Sequence, residues 1–141
     1  MEQLKGLVGL LEGGRDPVIP QTLAKCAVTA GVQQATISKV LELDSFRDMD
    51  MIMPREVIII LITMSGRTLK DVLSSIFEVF CKSAGVIDCP DFVDLFNILA
   101  YQDQGTLVSE ALREEVEKAF VDLPPVTLSD IFENPSISSV L

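Results

Sequence analysis

The longest apolar stretch of the chain lies between residues 51 and 64, MIMPREVIIILITM. Only Arg55 and Glu56 are charged there, and residues 57–62 leave no polar face. A segment that is apolar on every side must be enclosed by the rest of the chain, by a second copy or by lipid. The run after Pro54 is shorter than the roughly 20 residues that a membrane-spanning helix needs. We therefore expect a buried core element.

This buried element is predicted to be a helix over residues 55–64. Pro54 favours a helix because it lacks the N–H that would be unpaired in a first helical turn. No neighbouring segment has the pattern of a strand that could pair with this one, and an isolated strand would leave its backbone groups unsatisfied. The four β-branched residues from 57 to 60 would suit a buried strand equally well. The sequence alone leaves that alternative open.

Most other segments repeat apolar residues every three to four positions, which is typical of helices with one buried face. The clearest is residues 69–83, and no internal repeat is evident along the chain. The sequence therefore predicts an all-α, single-domain bundle of about six to eight helices around residues 55–64. Its predicted parts are an amphipathic arm over 1–14, a helix-turn-helix-like pair over 22–43, core helices over 54–121 and a flexible tail over 134–141.

Short polar residues and glycine predict where several of these helices begin and end. Thr68, three residues before Asp71, has the spacing of an N-cap. Gly85 is placed to end the same helix in a left-handed conformation. Asp88 and Thr106 are predicted to cap the two helices that follow.

The charge of the chain is strongly acidic and unevenly distributed. Eleven Lys and Arg residues against 21 Asp and Glu residues give a net charge of −10. Residues 1–41 carry a net charge of +1, and the remaining hundred residues carry −11. This balance repels nucleic acid and anionic membranes over most of the surface. Contacts with nucleic acid are therefore disfavoured, although the N-terminal third leaves room for them.

Composition also predicts where the protein resides. The apolar run lies in the middle of the chain, which indicates neither a signal peptide nor a transmembrane segment. Three cysteines, Cys26, Cys81 and Cys89, are an odd number without close spacing, in line with reduced thiols. Each cysteine is predicted to be a small core residue. We expect a soluble protein of the cytoplasm.

Enzymatic chemistry is not predicted. The chain has no histidine, which is the most common general base and metal ligand. The cysteines lack the spacing of metal ligands, and no glycine-rich phosphate loop is present. Asp88, Asp91 and Asp94 correspond to a helix cap and an exposed helix face. No catalytic residue, cofactor, metal or small-molecule substrate is therefore predicted.

One motif carries a possible activity, residues 22–41, TLAKCAVTAGVQQATISKVL. Two helices that cross steeply need a small residue at their contact, a left-handed residue at the turn and branched apolar residues that hold the second helix. Ala27, Gly31, and Ile37 with Val40 occupy these places. The stretch resembles the helix-turn-helix of LacI-like repressors, over about 20 of the 141 residues.

The resemblance implies that Thr22 caps the first helix and that the second helix begins near Gln33. It also implies a dimer whose second helix contacts base edges and phosphates. An ordinary corner between two packed helices produces the same pattern, and the sequence leaves both possibilities open. The DNA contacts that the resemblance implies are Gln33, Gln34, Thr36, Ser38 and Lys39.

The leading functional hypothesis is a non-enzymatic adaptor or regulatory domain that binds another protein and self-associates. It depends on the apolar composition, the acidic exterior and the lack of a catalytic constellation, because apolar patches on such proteins commonly mark partner sites. We expect a protein partner and a homodimer. The alternative is a dimeric helix-turn-helix transcriptional regulator. The residues predicted for an interface are Leu4, Leu7, Val8, Leu11, Met51 and Met53.

Overall fold

In a computed structural model, the chain is described over residues 2–65, 68–81, 85–103 and 107–141. Helices dominate these ranges, which confirms the predicted all-α class. Nine helices lie within them, slightly more than predicted, and two strands have two residues each. The elements are α1 Glu2–Leu10, α2 Pro20–Thr29, α3 Gln34–Leu41, α4 Pro54–Ser65, α5 Leu69–Phe80, β1 Val86–Ile87, α6 Cys89–Asp103, α7 Glu110–Ala119, β2 Val126–Thr127, α8 Leu128–Glu133 and α9 Pro135–Ser138.

The contacts of the chain divide it into two compact units, Met1–Leu61 and Ile62–Leu141. In the first unit, α1 and α2 flank one loop, and α3 and α4 flank another. Val18 and Ile52, one from each loop, exchange backbone hydrogen bonds of 2.9 and 2.8 Å in an antiparallel bridge. The first unit is therefore a pair of helix–loop–helix motifs whose loops are joined to each other.

The second unit has the same internal arrangement. The loop between α5 and α6 contains β1, and the loop between α7 and α8 contains β2. The strands are antiparallel, with Val86 opposite Thr127 and Ile87 opposite Val126. The sequence does not predict these two strands, because two paired residues are too few to produce an alternating pattern.

The four motifs share one further detail of spacing. In each, the second helix starts two residues after the residue that pairs across the loops: Pro20 after Val18, Pro54 after Ile52, Cys89 after Ile87 and Leu128 after Val126. The helix–loop–helix motif thus recurs four times, although the sequence shows no repeat. The repetition lies in the backbone, and the side chains of the four loops differ.

Helix α4 is the buried apolar segment, and its structure decides between the predicted helix and the alternative strand. Val57, Ile58, Ile59 and Ile62 are fully buried, whereas Met64 is exposed near the end of the helix. The helix prediction for residues 55–64 is confirmed. Among the helices of the described ranges, none combines the length and the apolar character that a membrane-spanning helix requires.

Helices occupy both ends of the chain. The predicted arm forms α1, which contacts α2 and buries Leu4 and Leu7. The predicted flexible tail contains α9, in which Ile137 is fully buried. The side chain of Asn134 caps α9 by accepting hydrogen bonds from the N–H groups of residues 136 and 137 at 3.0 and 3.2 Å. Packing against the fold therefore orders both segments.

Helix boundaries are the other source of differences. Helix α2 begins at Pro20 with Ile19 as its N-cap, so the predicted cap at Thr22 is wrong. Helix α5 ends at Phe80, so Gly85 does not end it. The predicted cap at Thr106 lies outside the described residues. The structure places a cap at Ser109 instead, whose hydroxyl accepts the N–H of residue 112 at 3.1 Å.

One predicted cap and one predicted helix start are confirmed. The Thr68 hydroxyl accepts the N–H of Asp71 at 3.1 Å and caps α5 as its spacing predicts. Asp88 immediately precedes α6, and its carbonyl oxygen accepts the N–H of Phe92 at 2.9 Å. Both predictions depend on local spacing, which survives in the folded chain.

Candidate functional site

A helix–loop–helix motif can be a calcium site, because the EF-hand binds calcium in a 12-residue loop between two helices. Its ligands stand at positions 1, 3, 5, 7, 9 and 12, with glycine at position 6. Gly85 has the left-handed φ of 69° that suits position 6. This numbering puts Ile87 at position 8 and Asp91 at position 12. In a pair of equivalent antiparallel loops, position 8 of one loop lies opposite position 8 of the other. Val126 lies opposite Ile87 and therefore takes position 8 in its own loop. By the same rule, Val18 and Ile52, which lie opposite each other, take position 8 in the two loops of the first unit.

The residues at the first three ligand positions do not fit calcium. Calcium requires oxygen ligands, and among positions 1, 3 and 5 of the four loops only Ser45 offers a side-chain oxygen. Within the described ranges, no group of three or more Cys, Asp or Glu side chains is arranged to hold a metal. The residues at these positions are Leu11, Gly13 and Arg15; Ser45, Arg47 and Met49; Phe80, Lys82 and Ala84; Ala119, Val121 and Leu123.

In the first unit, packing and a hydrogen bond hold the first loop to α4. Arg55 is only 4% exposed, and its Nε donates to the carbonyl oxygen of Gly13 at 3.1 Å. Gly14 has a φ of 72°, and a Cβ atom built there would lie 3.3 Å from Cγ of Arg55 and 3.4 Å from Cβ of Pro54. In the sequence, Arg55 interrupts the apolar run over residues 51–64. Its structural role depends on a glycine pair about 40 residues earlier in the chain.

In the second unit, Cys89 ties its helix to the opposite loop. Its thiol is buried and donates to the carbonyl oxygen of Pro124 at 3.3 Å. Burial raises the pKa of the Cys89 thiol, and the nearby carboxylates of Asp88 and Asp130 raise it further. The thiol therefore stays protonated and able to donate. The core position predicted for Cys89 is confirmed, whereas Cys26 is half-buried and Cys81 is exposed.

A capping box stabilises the last loop where it enters α8. The Thr127 N–H donates to Oδ2 of Asp130 at 2.9 Å, and the Asp130 N–H donates to the Thr127 hydroxyl at 3.2 Å. Each bond satisfies a backbone donor that a helix start would leave unpaired. Hydrogen bonds and packing thus hold these loops at places where an EF-hand uses a metal.

The predicted DNA-contacting residues lie at the corner between α2 and α3. Gln33, Gln34, Ser38 and Lys39 are exposed, and Thr36 is half-buried. No Asp or Glu occurs between residues 17 and 41. This stretch therefore presents amide, hydroxyl and ammonium groups from a surface whose own residues include no carboxylate.

The geometry of the same corner follows the predicted pattern. The predicted contact residues Ala27, Ile37 and Val40 are buried, and Gly31 has the left-handed φ of 102° that the turn needs. Helix α2 closes the first helix–loop–helix motif, and α3 opens the second. The corner is thus the connection between two motifs. A shallow groove of about 310 Å³ lies along it, lined by Ala24, Lys25, Val28, Thr29, Gln34, Ile37 and Ser38.

The residues predicted for an interface fall into two groups. Leu4 and Leu7 are buried within the first unit, so they offer no surface to a partner. Val8, Leu11 and Met53 are half-buried, and Met51 is 44% exposed. Leu43 and Met49 lie in the same loop segment as Met51 and are also exposed, which the sequence analysis did not single out.

A second groove, of about 370 Å³, lies within the second unit. We call it the α7–α8 groove, because the end of α7, the following loop and α8 form it. The sequence does not predict it, because no motif in this stretch indicates a binding site. It is lined by Ala119, Phe120, Leu123, Pro124, Pro125, Val126, Asp130, Glu133 and Asn134.

An ion-pair network lies on the surface of α7. The Arg113 guanidinium contacts Glu110, and it contacts Glu117 at 3.1 Å. The hydrogen bond from Arg113 lowers the pKa of the Glu110 carboxyl group below its ordinary value. Pairs at this spacing support a helix by about 0.2–0.5 kcal/mol each. This face is therefore structural.

The chain matches no protein-family model, and no curated protein or solved structure matches it significantly. A proposal for the function of the chain therefore depends on the geometry of its loops and grooves.

Proposed function

We propose that this chain is a non-enzymatic adaptor or regulatory domain that binds a helical segment of a partner protein without calcium control. The observation that carries the proposal is the paired helix–loop–helix frame in which ligand positions 1, 3 and 5 hold mainly apolar and basic residues. EF-hand sensors use the same kind of frame to hold amphipathic helices, and calcium opens them. Here the hydrogen bonds of Arg55 and Cys89 hold one loop of each unit to a helix of the other motif in that unit. Binding is therefore constitutive.

Self-association belongs to the same proposal. Leu43, Met49 and Met51 are the large apolar side chains that the loop before α4 exposes to solvent. Methionine is common on surfaces that adapt to different partners, because its side chain is flexible and polarisable. Light scattering on the free chain measures its mass in solution and so reports whether two copies pair.

The proposal predicts equal binding of a model helix with and without calcium. The probe is a synthetic amphipathic helix of about 18 residues, long enough to be helical, with leucine on one face and lysine on the other. We expect micromolar affinity in isothermal titration calorimetry, unchanged between excess EGTA and millimolar CaCl₂.

The control is a helix of the same length with glutamate in place of lysine. It should bind more weakly because the chain carries a net charge of −10. Failure of the full chain to bind the lysine helix would overturn the proposal. So would a gain in affinity of about tenfold or more on adding calcium, which corresponds to roughly 1.4 kcal/mol of metal control.

A second candidate function, DNA binding as a dimer, is favoured by one observation. The exposed side chains of Gln33, Gln34, Ser38 and Lys39 lie within a stretch that has no carboxylate of its own. Amide and ammonium groups on a second helix are suited to base edges and phosphates. The net charge of the chain opposes this function.

For DNA binding, we predict salt-dependent affinity for duplex DNA that is lost when Gln34→Ala and Lys39→Ala are combined. Fluorescence anisotropy at about 50 mM salt measures it. Lys118→Ala is the matched control, because Lys118 is exposed on α7 in the other unit. A chain that binds no duplex at low salt would end this candidate.

A further inference from the structure

The α7–α8 groove occupies the place where a metal-binding loop would keep its ion. In the loop numbering above, Ala119 and Leu123 stand at positions 1 and 5, and Asp130 stands at position 12. The space is therefore lined by apolar groups where the first ligands would be, and one carboxylate remains at the last ligand position. Phe120 and Val126 are buried beneath it, whereas Leu123 is 46% exposed.

Acidic groups form the rim of this groove. Asp130 and Glu133, both exposed, are the charged residues that line it. Oδ2 of Asp130 accepts the Thr127 N–H, which fixes the carboxylate and uses one of its two oxygens. The unit as a whole is strongly acidic, since residues 62–141 include five Lys or Arg and 13 Asp or Glu, a net charge of −8. The groove thus combines an apolar floor with a negative rim and a negative surrounding field.

We propose that the α7–α8 groove docks a basic amphipathic helix of a partner protein. An apolar side chain of that helix enters between Phe120 and Leu123, and a lysine or arginine of the same face pairs with Asp130 and Glu133. Charge complementarity selects this occupant, because an acidic rim repels acidic segments and steers basic ones. The volume of about 370 Å³ lies within the range of binding pockets. This inference rests on the proposed function and names the site within it.

Two substitutions test the groove with the full chain and the leucine–lysine helix as the probe. Leu123→Asp puts a charge where the apolar side chain enters, and Glu133→Lys reverses the rim charge. We expect each to raise the dissociation constant about tenfold or more. Both residues are exposed, and a lysine at the last position of α8 suits the helix dipole, so the fold is expected to tolerate the changes. Circular dichroism confirms that each variant is folded.

Each substitution has a matched control in the same unit. Val140→Asp introduces the same charge at an exposed apolar residue outside the groove lining. Glu114→Lys makes the same charge reversal on the exposed face of α7. Both controls should bind the helix with nearly wild-type affinity, because they change the net charge equally and leave the groove intact.

The outcomes separate the site from the function. If the wild-type chain binds the helix and the groove variants weaken binding no more than their controls, the groove assignment is wrong and helix binding stands. If a groove variant and its control weaken binding equally, the effect is that of net charge, which also overturns the assignment. If the wild-type chain does not bind the helix at all, the proposed function fails and the groove assignment fails with it.

Discussion

Replacing Phe92 with alanine is expected to lower the free energy of unfolding by about 3–5 kcal/mol, the range for removing a buried aromatic side chain. Phe92 is 1% exposed, and its ring centroid lies 5.9 Å from that of Phe77, 5.7 Å from that of Phe96 and 5.3 Å from that of Phe120. These rings come from α5, from α6 and from the residue after α7. The cavity would thus loosen both helix–loop–helix motifs of the second unit together.

Urea denaturation followed by circular dichroism measures the loss. Tyr101→Ala is the matched control, because Tyr101 lies on the same helix and is 81% exposed. Its effect is expected to stay within about 0.5 kcal/mol. A loss below about 1 kcal/mol for Phe92→Ala would contradict the central packing role of this ring.

Replacing Gly14 with alanine is expected to destabilise the first unit by about 1–3 kcal/mol. Two causes act together. An L-residue resists the φ of 72°, and the added Cβ would press on Pro54 and Arg55 at 3.4 and 3.3 Å. The first loop would then move away from α4 and weaken the hydrogen bond from Arg55 to Gly13.

Two other glycines separate these causes. Gly13 has a φ of 88° with open space around it, so Gly13→Ala should show the conformational strain without the steric contact. Gly9 lies inside α1, also with open space, so Gly9→Ala should raise the free energy of unfolding by about 0.5–1 kcal/mol. Thermal or urea unfolding checks all three. Equal effects of Gly14→Ala and Gly13→Ala would show that the contact with α4 is unimportant.

The helix-turn-helix resemblance illustrates how a local pattern serves more than one architecture. Ala27, Gly31 and Ile37 meet the packing needs of any two short helices joined by a tight turn. In this fold the same three residues connect one helix–loop–helix motif to the next. The local geometry was predictable from the sequence, because spacing and glycine conformation are local properties. Which molecule binds that surface depends on the surroundings of the surface in the folded protein, and the spacing of residues does not encode those surroundings.

Gln34 and Lys39 are exposed, as contact with a partner requires, whereas Leu4 and Leu7 of the predicted interface are buried. Lys39 lies on the face of α3 away from Ile37 and Val40, whereas Gln34 lies in the first turn, at the edge of the buried face. The α7–α8 groove escaped notice because it forms only when α8 folds back towards the end of α7. Its lining combines ordinary apolar side chains with Asp130, Glu133 and Asn134, and only their arrangement makes a site.

The sequence by itself determined the helical class, the burial of α4, the Thr68 cap and the turn at Gly31. Each follows from residues within one or two helical turns of one another, where periodicity and capping act. Only the tertiary structure decided the pairing of Val18 with Ile52 and of Ile87 with Val126. Such partners are more than 30 residues apart in the chain, and a pairing of one or two residues leaves no pattern in the sequence. The burial of Arg55 against the first loop was also decided by the tertiary structure, because Arg55 packs against Gly13 and Gly14, which are far from it in the sequence.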